Sequence, residues 1–142
     1  SGAWVRLPGA AHDIGVGADG SVWVVGVDER RGGHEIFTLG SRGWIKVDGT
    51  GVRVDVDPEG RPWIINDDDE IYRLEQGVWH RMPGKAKDIG IGADGSVWVI
   101  GADAGPGGLS ASIARVRPAT CARPQVRRHG VCMPIITRAP PG

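Results

Sequence analysis

Six tryptophans divide the first hundred residues into three copies of one pattern. Each copy opens on a Trp and carries a second Trp 19 residues later: Trp4 and Trp23, Trp44 and Trp63, Trp79 and Trp98. Aligned without gaps, residues 4–26 and 79–101 agree at 17 of 23 positions, while residues 44–66 keep the outline and drift in detail. Successive copies start 40 and then 35 residues apart, the length of a propeller blade or of a helical-pair repeat. In either architecture no unit can bury its apolar face alone, so the units must stack.

Glycine decides against helices. The chain holds 24 glycines in 142 residues, about 17% where about 7% is usual, and each Gly inside a helix costs about 1 kcal/mol relative to Ala. Periodicity points the same way. Residues 13–17, 52–56 and 88–92 alternate between β-branched and small or polar side chains, as half-buried strands do. Each is followed by a turn signal (Ala18-Asp19-Gly20, Pro58-Glu59-Gly60, Ala93-Asp94-Gly95) and a second strand at residues 22–25, 62–65 or 97–100. A third strand is expected at residues 35–39 and 70–74, and a fourth where the next copy opens, as at Trp44-Ile45-Lys46-Val47. Four short antiparallel strands per copy describe an all-β chain of propeller blades.

The pattern Trp-x-x-Leu-Pro-Gly, Asp-Ile-Gly-Val-Gly, Asp-Gly-Ser-Val-Trp and Ile-Tyr-Arg resembles the tectonin β-propeller repeat of tectonins and related lectins. The likeness covers residues 4 to about 101. It implies a propeller of about six such repeats that binds glycans, including methylated sugars and bacterial lipopolysaccharide, at sites between neighbouring blades.

After Gly101 the composition changes. Residues 102–142 hold both cysteines, six of the ten prolines, six arginines, one acidic residue and no aromatic residue. They carry +5, against −5 for residues 1–101. Ile113-Ala114-Arg115-Val116 can be laid against Ile71-Tyr72-Arg73-Leu74, but the Trp expected eight residues later is replaced by Cys121. The chain therefore reads as repeats over residues 1–116, in copies of about 4–43, 44–78 and 79–116, followed by an irregular basic tail at 117–142. Three readings of the tail stand open: an extended arm, a clip closed by a Cys121–Cys132 disulfide, or non-native sequence from truncation or a shifted frame. Propellers run from about four to eight blades, so three blades do not close a ring. The ring is completed by pairing into a six-bladed homodimer or by a longer protein of which this is a fragment, or the blades form an open stack capped by the tail.

Several motifs are weighed and set aside. Residues 15–20 and 90–95 match GxGxxG, but a dinucleotide fingerprint needs a helix to follow, and Ser21-Val22-Trp23 continues as a strand. The carboxylates at 67–70 and at Asp55, Asp57 and Glu59 lack the register of a calcium loop and read as solvated turns. His12, His34, His80 and His129 stand in unrelated surroundings, and no Gly-x-Ser-x-Gly elbow is present. The expectation is a chain without catalytic machinery, cofactor or metal. The tail arginines lack interleaved aromatics for stacking on bases, so nucleic acid is not an expected partner. With 40% hydrophobic and 24% charged residues the composition is that of a globular protein, and no run suits membrane insertion. No signal peptide is visible at Ser1-Gly2-Ala3-Trp4, which leaves secreted and cytoplasmic locations both open.

Trp23, Trp63 and Trp98 sit mid-strand between aliphatic residues and are expected in the core. Trp4, Trp44 and Trp79 stand beside polar Arg6, Lys46 and Arg81, where an amphipathic ring can stack on the apolar face of a sugar. Sugar sites also need fixed polar groups. The candidates are Asp19 and Asp94 in the hairpin turns, Asn66 with Asp67 after the second strand, and Asp13, Asp55 and Asp88 on the first strands. The reading is a non-catalytic, lectin-like module for surface glycans; a protein-interaction scaffold is the reading from another class.

Overall fold

The computed structural model describes residues 2–102, together with the backbone of residues 113–116 and 136–137. Among the described residues every regular element is a strand. The strands β1 (Ala11–Val16), β2 (Val22–Arg30), β3 (Gly33–Gly40) and β4 (Gly43–Gly51) form a four-stranded sheet in chain order. A seven-stranded sheet follows, built of β5 (Arg53–Val56), β6 (Pro62–Ile65), β7 (Glu70–Glu75), β8 (Val78–Ile91), β9 (Val97–Gly101), β10 (Ile113–Val116) and β11 (Ile136–Thr137), again in chain order. All pairings are antiparallel.

Strand β8 serves twice. Its residues 78–85 pair with β7 and, past a register shift, residues 86–91 pair with β9. The larger sheet therefore has a near half (β5 to the start of β8) and a far half (the end of β8 to β11). The first sheet passes into the near half just as directly, since Val52 alone separates β4 from β5. Register fixes which side chains face which neighbour, because strand side chains alternate.

Two apolar cores result, one at each junction. In the first, Trp23, Val25 and Ile36 of the first sheet pack on Val54, Val56 and Ile64 of the near half. In the second, Trp63, Ile65, Ile71 and Met82 of the near half meet Ala86, Val97 and Val99, with Ile89 and Ile91 alongside, so the seven-stranded sheet folds back on itself at β8. Val25, Ile36 and Ile65 are wholly buried, each contributing about 1.5–3 kcal/mol by its removal from water. Carboxylates tie the same junctions. Asp13 Oδ2 accepts from Val54 N at 2.9 Å, and Asp55 Oδ2 accepts from Ile91 N at 2.6 Å. Gly15 allows the approach, since a Cβ there would lie 2.7 Å from the Asp55 Cα.

The hairpins between first and second strands turn at Gly20, Gly60 and Gly95, whose φ values of 85°, 81° and 79° favour glycine. After the first GxGxxG stretch β2 begins at Val22, so no helix N-terminus is there to meet a phosphate. Trp23 and Trp63 are core residues, but Trp98 departs from expectation: it is 45% exposed. Its counterparts are packed against the next unit in the chain. The continuation of the repeat into Ile113–Val116 is present as β10, paired with β9 from Ile113↔Ile100 to Val116↔Val97. Cys121 and Cys132 lie outside the described residues.

Candidate functional site

Trp44 and Trp79 occupy matching places. Each begins the fourth strand of its unit, opposite Leu39 and Leu74 respectively. Each indole then reaches back to the preceding copy. Trp44 Nε1 donates to the Pro8 carbonyl at 2.9 Å, and Trp79 Nε1 donates to the Asp48 carbonyl at 2.6 Å. Pro8 and Asp48 are 40 residues apart, one repeat, so the two indoles make the same bond to the same position of the preceding copy. Glycine follows that position both times. Gly49 has φ +124°, and a Cβ on it would lie 2.5 Å from the Trp79 Nε1; Gly9 has φ +108° and faces Trp44.

A cleft opens beside each indole. The larger, about 560 Å³, lies between the first sheet and the near half. The first sheet supplies Arg31, Gly32, Gly49 and Thr50; the near half supplies Asn66, Asp67, Asp68, Tyr72 and Trp79. The smaller, about 310 Å³, lies between residues 7–11 and the outer side of the first sheet, and includes Val24, Phe37 and Trp44. In register, Gly26, Val27 and Phe37 stand where the larger cleft has Asn66, Asp67 and Tyr72. The two clefts thus share a plan but differ in chemistry, one polar and one apolar.

The polar wall is preorganised by a turn. Asn66 Oδ1 accepts from Asp68 N at 3.1 Å and Glu70 N at 2.8 Å, while its Nδ2 donates to Glu70 Oε2 at 3.2 Å. An Asn in this role substitutes its amide for a missing turn of backbone. Asp69, at φ 64°, completes the bend, and its carboxylate takes the Lys87 ammonium at 2.6 Å. The Asp67 amide donates to Gly32 O at 3.1 Å, pinning the turn to the first sheet and leaving the Asp67 side chain exposed at the cleft. Tyr72 OH donates to Glu70 Oε2 at 3.0 Å. That bond, with the one from Asn66, holds Glu70 below the usual carboxylate range, and the bond to Glu70 raises the Tyr72 phenol above its ordinary value. Across the cleft, Thr50 Oγ1 donates to the Arg31 carbonyl at 3.0 Å.

Of the residues expected in a sugar site, Asn66, Asp67 and Trp79 come together in the larger cleft, and Trp44 lies in the smaller one. Asn66 shapes the wall more than it offers free donors. Trp4 is fully exposed. Asp19 and Asp94 are on hairpin turns outside both clefts, where Asp19 Oδ1 accepts from Ser21 N and Oγ and Asp94 Oδ1 from Ser96 N and Oγ. The Ser21 bonds hold Asp19 below the usual carboxylate range. Asp13 and Asp55 spend oxygens on the junctions, and Asp88 Oδ1 accepts from Ile89 N at 2.9 Å.

Arg31, Thr50, Asp68 and Tyr72 were not among those expectations. Arg31 and Thr50 belong to the copy before Trp79, and pattern within one copy cannot place them; the glycines at 32 and 49 mark the close approach that brings them there. His12 and His34, which look unrelated in sequence, have ring centroids 4.5 Å apart. Among the described residues no group of three or more His, Cys, Asp or Glu is placed to hold a metal ion, and no helix is long and apolar enough to cross a membrane.

No curated protein matches the chain. The family model of the Tectonin domain matches residues 53–105, from the start of β5 past the end of β9. That match falls on the near half and the beginning of the far half, and it is consistent with the family the tryptophan repeat resembles.

Proposed function

We propose that this chain is a non-catalytic, lectin-like module made of three tectonin-type propeller blades: the first sheet, the near half and the far half. It takes a sugar of a surface glycan, bacterial lipopolysaccharide or a methylated saccharide, in the cleft beside Trp79. The observation that carries this is the recurrence of one indole-floored cleft at successive blade positions, of which the second is lined with polar groups. A sugar ring needs an aromatic surface for its apolar face and fixed polar partners for its hydroxyls. The Trp79 cleft offers the exposed Asp67 and Asp68 carboxylates, Arg31 and Thr50 around that indole. The Trp44 cleft, with Val27 and Phe37 in place of acid and phenol, suits the methyl groups of a methylated sugar better than free hydroxyls.

Competition tests the reading. Binding to immobilised lipopolysaccharide or methylated glycan should be displaced by the free monosaccharide and abolished by Asp67→Ala with Arg31→Ala. Binding that ignores free sugar and survives both substitutions would contradict it. The scaffold reading draws on a different observation, the apolar side chains exposed at the two ends of the stack: Ile14 and Val16 at one, Trp98 and Ile100 at the other.

A further inference from the structure

The Trp79 cleft carries both signs of charge, and its own side chains do not cancel them. Arg31 lines it from the first sheet, Asp67 and Asp68 line it from the near half, and all three are exposed. Among the described residues none of the three enters an ion pair. Neighbouring charges are engaged elsewhere. Arg30 pairs with Glu35 at 2.8 Å, and the Lys87 ammonium takes the Asp69 carboxylate at 2.6 Å. Lys85 Nζ donates at 3.0 Å to the Asp68 carbonyl, not to its carboxylate.

Backbone bonds fix where these charges start. Asp67 N donates to Gly32 O at 3.1 Å, so Arg31, one residue before Gly32, is held beside the acidic turn. Thr50 Oγ1 donates to the Arg31 carbonyl at 3.0 Å, and Asp68 N donates to Asn66 Oδ1 at 3.1 Å. Gly32 permits this approach: its φ is +94°, and a Cβ there would lie 2.6 Å from Thr50 Oγ1. Opposite charges anchored on the two walls without pairing leave a field across the cleft. A ligand with the complementary pair of charges gains at both walls, whereas a singly charged one gains at one wall and meets its own sign at the other.

We propose that the cleft selects a dipolar saccharide, an amino sugar that also bears an acidic group, with its anion on Arg31, its ammonium on Asp67 and Asp68, and its ring against Trp79. This rests on reading the cleft as a sugar site and names the class of sugar. The planar guanidinium suits either a phosphate or a carboxylate as the anion. A volume of about 560 Å³ lies within the range of small-molecule sites, about 300–1,000 Å³. The Trp44 cleft is an internal comparison. It keeps Asp28 at the position of Asp68 but has Val27 at that of Asp67, so it lacks the acid pair and does not share the preference.

Titration of the full chain, followed through the Trp79 indole N–H signal, tests the proposal. The probes are glucose, glucosamine, glucose 6-phosphate and glucosamine 6-phosphate, in mildly acidic buffer where the sugar amine is protonated. Glucosamine 6-phosphate should bind about fivefold more tightly than either singly charged sugar, the upper end for an ion pair still open to solvent, and added salt should shrink that advantage. The Trp44 signal should show no such order. Muramic acid, with a carboxylate for the phosphate, tells which anion Arg31 takes; an advantage for either acidic amino sugar supports the proposal, and an advantage for neither overturns it. Arg31→Gln should erase the gain from the acidic group, and Asp67→Asn with Asp68→Asn the gain from the amine. The series on the unaltered chain decides by itself if a variant fails to fold. Equal affinity for all four probes, or a preference carried wholly by one charge, overturns the proposal and leaves the sugar site standing. A Trp79 signal that no sugar moves, methylated ones included, overturns the sugar site and this proposal with it.

Discussion

Tryptophan shows at the scale of single residues how position in a stack overrides pattern. Trp23, Trp63 and Trp98 occupy the same place in nearly the same sequence, and their expected burial rests on aliphatic flanks that all three share. Two are core and one is half exposed, because burial of a strand's face is decided by the next sheet, which no local window contains. Trp63 also donates through Nε1 to Asp57 Oδ2 at 3.3 Å and lies under the Arg73 guanidinium. Trp63→Ala should therefore cost about 3–5 kcal/mol in denaturant melts; a loss below about 1 kcal/mol, the scale of an exposed site, would remove it from the core. Charge at this scale has a sign that can be worked out. Glu35, buried among the strands, accepts from Lys46 Nζ at 2.7 Å and pairs with Arg30 at 2.8 Å. The Lys46 bond first, and then the Arg30 charge, hold its carboxyl below the usual range against the opposing effect of burial. A carboxyl lowered in the native state stabilises it above the unfolded-state pKa and loses that contribution as pH falls through the native one. Glu35→Gln should flatten the acid limb of the stability curve, and an unchanged limb would contradict the assignment. Asp55 acts with the opposite sign: burial first, then the nearby Asp13 and Asp88, raise its pKa, so its contribution falls as pH rises.

The elements themselves were the most legible part of the chain. Alternation located β1, β5 and the end of β8, turn glycines located the hairpins, and the second strand expected at 62–65 is β6 as it stands. Those signals are local: side-chain alternation and positive φ act within a few residues. Two features were not legible for the opposite reason. β8 runs unbroken from one half of the larger sheet into the other, since the shift between Glu70 and Ile71 lets one strand change partners without a turn. Half of the Trp79 cleft comes from Arg31 and Thr50, a repeat away, whereas its Asn66, Asp67 and Trp79 side was readable as polar strand-end residues near an amphipathic indole. The hairpins allow a direct test. Gly95 has φ +79° and no atom closer than 3.9 Å to where its Cβ would be, so Gly95→Val isolates backbone strain from crowding. It should destabilise by about 1–2 kcal/mol, the cost of a left-handed conformation for an L side chain. Unchanged stability would mean the turn is built differently.

At the scale of the whole molecule, the described residues form a stack held by two apolar junctions. Each junction combines an indole, a pair of branched aliphatics and a carboxylate bonded to the neighbouring backbone. The first junction also sets a second indole, Trp79, beside a cleft at the rim. The first Trp of the two later copies (Trp44, Trp79) lies at a cleft, and the second Trp of the two earlier ones (Trp23, Trp63) in the core. On the proposed function, repetition would make weak sites useful, because clefts repeated from blade to blade multiply their affinities on a crowded glycan surface. The central claim is that the Trp79 cleft is where a sugar sits. The most direct measurement follows the indole N–H signals in a proton–nitrogen NMR titration with free methylated and unmethylated monosaccharides. The signal of Trp79 should move, that of Trp44 should move with the methylated sugar, and those of the buried Trp23 and Trp63 should stay. Stationary Trp79 and Trp44 signals at saturating sugar, or movement confined to Trp4 and Trp98, would contradict the account.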